Sequence, residues 1–101
     1  MITYFVLHKT IGDPAAGWEF FGKGAPTLAA AMAAGQMPAK CVKTYNPYTF
    51  GRGDYVFCIW EAENIEDIQS VLDSSGLSNY VTADIMPVTE IDWAELALTA
   101  T

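Results

Sequence analysis

Positive charge is scarce in this chain. Five lysine and arginine residues stand against twelve acidic ones among 101, for a formal charge of −7. The five (Lys9, Lys23, Lys40, Lys43 and Arg52) are scattered. A nucleic-acid footprint needs several phosphate-neutralising cations on one face, so nucleic acid is excluded, and an anionic membrane surface with it. Long apolar runs are also missing, which excludes a transmembrane helix. Met1–Lys9 has neither a basic leader nor a small-residue cleavage site, and reads as a strand rather than a signal peptide. Two cysteines make no disulfide framework, and a reducing, cytoplasmic setting is expected. No glycine-rich phosphate loop, dinucleotide fingerprint or zinc-ligand spacing occurs, so neither a metal nor a cofactor is expected.

What is present is apolar. Hydrophobic residues make up 51% of the chain and charged residues only 17%, with a mean hydropathy of +0.18. Residues 1–101 suffice for one domain with one small core. A core of that size is marginal on its own. Greasy composition in a small chain points to apolar surface buried between subunits, and a two-fold homodimer is the commonest such assembly.

Strand and helix signals alternate along the chain. Ile2–Lys9 is aromatic and β-branched without a breaker. Asp13-Pro14 reads as an N-cap and first helical residue. Gly22, Gly24 and Pro26 then predict two short helices or one kinked helix, ending at Gly35. Ala39–Tyr45 is the second strand, residues 46–53 are turn chemistry, and Asp54–Ala62 is the third strand. Asn64 caps a helix with apolar residues at Ile65, Ile68, Val71 and Leu72, and Asp67 stands at the capping-box position. Val81–Ile91 is the fourth strand, with Pro87 marking an edge or a bulge. Asp92-Trp93-Ala94-Glu95 opens a short C-terminal helix over residues 92–101. The order β-α-β-β-α-β predicts an α+β, ferredoxin-like domain with an antiparallel sheet in the order 4-1-3-2.

Period-two alternation sorts the strands into two rows. Phe5, Leu7, Phe57, Ile59 and Val42 form an apolar row, expected beneath the helices. Tyr4, Val6, His8, Cys41, Tyr45, Cys58 and Trp60 form a mixed row, expected on the free sheet face. The topology gathers His8, Asp54, Tyr45, Thr82 and Asp84 at one sheet edge, under the loop that bears Tyr48, Phe50 and Arg52. His8, the one side chain with an ordinary pKa near neutrality, reads as a general base, oriented by Asp54 or Asp84. Tyr45 or Tyr48 would donate a hydrogen bond to a developing oxyanion. Tyr4, Tyr48, Trp60 and Cys58 are candidates to line a small-molecule cavity, and Arg52 to anchor an acidic group. Packing alone explains aromatic strand residues equally well. Cys41 and Cys58 are expected to face each other across the hairpin as buried thiols serving as small hydrophobes, rather than as a disulfide or metal ligands.

Three stretches carry a family resemblance. They are Thr3-Tyr4-Phe5-Val6-Leu7-His8, then Tyr55-Val56-Phe57-Cys58-Ile59-Trp60-Glu61-Ala62-Glu63-Asn64-Ile65-Glu66, and Asp84-Ile85-Met86-Pro87-Val88-Thr89-Glu90. Together they resemble the dimeric α+β barrel superfamily, nearest to its small uncharacterised families. The resemblance implies two ferredoxin-like subunits packed sheet to sheet. It also implies a function drawn from a set that includes cofactor-independent monooxygenases, lactone isomerases and polyketide cyclases, acting on planar organic substrates. A non-catalytic interaction module whose sheet face is only a dimer interface is the alternative.

Overall fold

The computed structural model describes residues 1–100. The elements are β1 (Ile2–Lys9), α1 (Pro14–Ala33), β2 (Ala39–Tyr45), β3 (Tyr55–Ala62), α2 (Ile65–Ser74), β4 (Asp84–Pro87) and α3 (Trp93–Ala97). The four strands form one antiparallel sheet in the order β2-β3-β1-β4. This is the ferredoxin-like α+β arrangement that the order of sequence signals predicts.

Local chemistry sets the element boundaries. The Asp13 side chain accepts from the Ala15 amide at 3.0 Å, and Pro14 starts α1. Asn64 precedes α2, and its amide donates to Asp67 Oδ2 at 3.3 Å, the reciprocal half of a capping box. Asp92 caps α3 by accepting from the Ala94 and Glu95 amides. Of the two expected forms of the first helical segment, two short helices or one, the single helix is found: α1 runs 20 residues through Pro26. Proline removes a backbone donor and crowds the carbonyl four residues earlier. That carbonyl belongs to Gly22, which is exposed and has no side chain to be displaced, so water can take the unbonded group. The last strand is shorter than predicted. Only Asp84–Pro87 pairs with β1, at the sheet edge where proline is tolerated, and Val81 makes an isolated bridge to Thr10.

The two rows of strand residues are reversed relative to the sequence expectation. The core consists of Tyr4, Val6, Ala39, Cys58, Trp60, Ala62, Ile68, Val71 and Leu72, so the mixed row lies beneath the helices. Val6, Ile68 and Val71 are completely buried, each contributing about 1.5–3 kcal/mol. Ala39 and Ala62 pair directly across β2 and β3, and their small side chains leave room for α2. The apolar row of Phe5, Leu7, Phe57 and Ile59 lies on the opposite face, half-buried, with no element of the described chain over it. Both rows are rich in apolar side chains, so alternation finds the faces without saying which one the helices cover.

A second correction concerns β2. A β-bulge between Cys41 and Lys43 shifts the register, so Cys41 pairs with Trp60 and Thr44 pairs with Cys58. The two cysteines are therefore diagonal neighbours rather than directly opposed. The bulge also changes which residues share a face. Cys41 and Thr44 both sit on the helix side, while Lys43 and Tyr45, opposite Ile59 and Phe57, sit on the open side.

Candidate functional site

Helix α1 is long, yet not one of its residues is fully buried. Instead it roofs a cavity of about 250 Å³ that separates it from the helix side of the sheet. Trp18, Phe21, Ala25, Leu28 and Met32 face the cavity from α1. Their spacing of three and four residues puts them on one helical stripe. The floor comprises His8 from β1, Cys41 and Thr44 from β2, and Val56, Cys58 and Trp60 from β3.

The roof is tied down at both ends. At the start of α1, Phe20 stacks on Tyr80 with ring centroids 4.7 Å apart, and Trp18 stacks on Tyr48 at 6.4 Å. Gly53 sits against Pro14, where a Cβ would come within 2.8 Å of the ring. Glycine is required there by close approach. At the other end, the Cys41 amide donates to Met32 Sδ at 3.4 Å.

His8 is only 4% exposed. Its Nδ1 hydrogen-bonds the Thr82 carbonyl at 2.9 Å. A carbonyl only accepts, so Nδ1 carries the proton and Nε2 is the basic nitrogen. Burial lowers the imidazole pKa, and the Thr82 bond opposes that shift in part. His8 is therefore a neutral, oriented imidazole at neutral pH, on the wall of an apolar cavity.

Trp60 is 3% exposed and lies on the same wall. Its indole Nε1–H is sealed off from solvent and from the cavity space, with the Cys58 sulfur as its polar neighbour. Beside it stand the two thiols. The Thr44 hydroxyl bridges them, 3.6 Å from Cys41 Sγ and 3.3 Å from Cys58 Sγ. The neighbouring Cys58 thiol holds Cys41 down to about 7, with help from Thr44 and the Lys43 backbone and against the effect of burial. Cys58 moves the other way, pushed up by Cys41 and by burial. Of the two thiols, Cys41 is the one that gives up its proton first.

The predicted site divides. His8, Cys58 and Trp60 come together on the cavity wall. Tyr4 is buried on the same sheet face, opposite Trp60, without lining the cavity. Tyr48 packs on Trp18 at the end of the roof. Tyr45, opposite Phe57, and Asp84, opposite Leu7, lie on the open face and cannot reach the imidazole. Asp54 is exposed and lies 4.0 Å from Arg52, itself exposed. The Thr82 carbonyl thus orients His8 in place of either carboxylate. Sequence reasoning did not place Cys41, Thr44 or the α1 stripe in the site. The apolar period through Trp18, Phe21, Ala25, Leu28 and Met32 was the available signal, obscured by the glycines and proline between them.

Among the described residues, no group of three or more His, Cys, Asp or Glu side chains could hold a metal ion. Among the same residues, no helix is long and apolar enough to cross a membrane. Comparison with protein families, curated proteins and solved structures gives no match. What the protein does must therefore be read from the cavity.

Proposed function

We propose that the protein binds a small planar organic molecule in the cavity beneath α1 and moves a proton on it, with His8 as the base. The observation that carries this reading is the cavity itself, apolar-walled and reaching a neutral imidazole whose free nitrogen is set by Thr82. Ligand sites combine such walls with a few convergent polar groups, and this one falls just below their usual size range of roughly 300–1,000 Å³, room for roughly one or two fused rings. His8 Nε2 would take a proton from the carbon beside a carbonyl. Such chemistry covers an isomerase or a cyclase, and the enolate-like intermediate is also what a cofactor-independent oxygenase forms first.

The open face is assigned to a second copy of the chain. Phe5, Leu7, Phe57 and Ile59 form a contiguous apolar stripe on the two central strands, with the Phe5 and Phe57 rings 6.2 Å apart. Two such sheets packed face to face form the dimeric α+β barrel. In this reading the dimer interface and the ligand site occupy opposite faces of the sheet. The two free thiols suit a reducing, cytoplasmic setting.

A second reading, binding without catalysis, is favoured by one observation: no carboxylate backs His8, whose Nδ1 bonds only main chain. The test is deuterium exchange at the carbon next to the carbonyl of 1-indanone in heavy water. Wild type is expected to accelerate exchange, and His8→Asn to abolish the acceleration while still binding. Binding with no exchange by either protein leaves the second reading. No thermal stabilisation of wild type, or equal stabilisation of an Ala25→Phe variant whose ring fills the cavity, rejects the cavity as a ligand site.

A further inference from the structure

We infer that the segment Thr89–Ala100, which carries α3, is an arm that packs on a second copy of this chain, over the edge strand β2 of that copy's open face. The inference rests on the open face pairing with a second copy and names the segment that completes the contact. The arm is not bonded to the body of its own chain. Its last tie to the sheet is the Val88 amide, which donates to the Thr3 carbonyl at 2.9 Å. From Thr89 on, among the described residues, its hydrogen bonds are internal and every residue is exposed. The described chain measures 51 × 34 × 22 Å, with a radius of gyration of 15.0 Å. A compact domain of this length has about 13 Å, and a projecting arm accounts for the difference.

The arm is nevertheless a built element. Asp92 caps α3, and Ile91 and Leu96 stand at the staple positions N′ and N4 around that cap. A helix of five residues does not hold in water by itself. This one has Trp93 at 78% and Leu98 at 86% exposure, with Trp93, Leu96 and Ala97 spaced as one helical stripe. Packing against a partner would supply the stability that its length does not.

Charge and register point to β2 of a second copy. The arm's charged residues, Glu90, Asp92 and Glu95, are all acidic. Most of the surface of a chain with charge −7 repels such a segment. On the open face, Lys40 stands opposite Glu61 and Lys43 opposite Ile59. Both lysines are exposed, and neither belongs to an ion pair among the described residues. The same strand exposes Val42 and Tyr45. Apolar side chains beside unpaired lysines match an arm of apolar side chains and unpaired carboxylates. A two-fold axis running along the strands, between two facing sheets, lays each β4 over the partner's β2 without changing its level. Val88 bonds Thr3, Thr3 pairs with Glu61, and Glu61 pairs with Lys40. Each arm therefore leaves its sheet level with the partner's Lys40. Ile91, Trp93, Leu96 and Leu98 expose on the order of 500 Å² per arm. Two arms and the sheet they cover come to on the order of 2,000 Å², the size of a stable interface.

The experiment mixes unlabelled and ¹⁵N-labelled full-length protein, allows the subunits to exchange, and adds a carbodiimide, which joins a lysine to a carboxylate only in direct contact. Peptide mapping by mass spectrometry reads the isotope of each half of a link. Mixed-isotope links between Lys40 or Lys43 and Glu90, Asp92 or Glu95 are expected. In a light-scattering dilution series, Trp93→Ala is expected to raise the dimer Kd at least about tenfold. Lys40→Glu is expected to raise it several-fold, and Lys40→Glu with Glu90→Lys to recover part of the loss. Far-UV circular dichroism reports that each variant is folded. A wild-type dimer without mixed-isotope links at these groups, or with a Kd that Trp93→Ala leaves unchanged, overturns the arm while the sheet-to-sheet dimer stands. Links within one copy alone show the arm folded back on its own sheet, which also overturns it. A wild-type monomer throughout the series overturns the arm and the dimer together.

Discussion

Acidification from pH 7.5 to 5.5 should destabilise the wild-type protein more than its His8→Asn variant. His8 is 4% exposed, with Nδ1–H donating to the Thr82 carbonyl. Burial lowers its pKa in the folded chain below the ordinary 6.5. The sign follows from proton counting. Above 6.5 neither the folded nor the unfolded chain protonates this ring, and the group makes no pH-dependent contribution. Below 6.5 the unfolded chain takes up a proton that the folded chain refuses, so stability falls until the folded pKa is reached. One pH unit below 6.5 the loss reaches at most about 1.4 kcal/mol. That is a substantial part of the roughly 5–15 kcal/mol that holds a domain together. Asparagine is the informative replacement, because its amide nitrogen lies where Nδ1 does and can still donate to Thr82, yet it does not titrate. Urea unfolding followed by tryptophan fluorescence at the two pH values gives the four stabilities needed. Subtracting the variant's pH response removes the shared carboxylate contribution. A residual of at most about 1.4 kcal/mol, with wild type losing more, is expected. No difference, or a wild type favoured by acid, would refute the buried neutral imidazole on which the proposed base depends.

Three further outcomes follow from the packing. Ile68→Ala should cost about 2–5 kcal/mol in chemical denaturation, because Ile68 is completely buried between α2 and the sheet; a loss below about 1 kcal/mol would place the core elsewhere. Gly53→Ala should cost about 1–3 kcal/mol, since the new Cβ would meet the rigid Pro14 ring at 2.8 Å; a stability equal to wild type in the same denaturation experiment would show that this loop does not bear on α1. Wild type should run at twice the chain mass of 11.0 kDa in light scattering at micromolar concentration, and Phe57→Glu on the open face should run as a monomer that still folds. A wild-type monomer would remove the second copy from the account.

The elements and their order were legible because each rests on local chemistry: Asp13-Pro14, Asn64 with Asp67, and Asp92 all act within their own turn of chain. The sidedness of the sheet was not. His8, Tyr4 and Trp60 look like residues of a wet face, yet Trp60 and Tyr4 bury large rings beneath the helices, and His8 satisfies Nδ1 on a carbonyl that belongs to a distant stretch of chain. The pair Ala39 and Ala62 was the overlooked cue, since small residues mark where a helix comes close. The bulge after Cys41 is a one-residue slip that alternation alone cannot detect, and it decides that Cys41 and Thr44 share a face. That His8, Cys58 and Trp60 share one face was legible because they occupy one row of adjacent strands. Asp54, Asp84 and Tyr45 were not separable from them, because nearness to a sheet edge says nothing about which face a side chain takes.

The most direct test of the central claim is an amide and indole NMR titration of the ¹⁵N-labelled protein with 1-indanone. The chain has three indole N–H groups to report on. The account predicts that the resonances of Trp60 and Trp18, on the cavity floor and roof, shift and saturate together, while that of the exposed Trp93 on α3 stays in place. Shifts confined to Phe5, Leu7, Phe57 and Ile59, or none for Trp60 at saturating ligand, would contradict it.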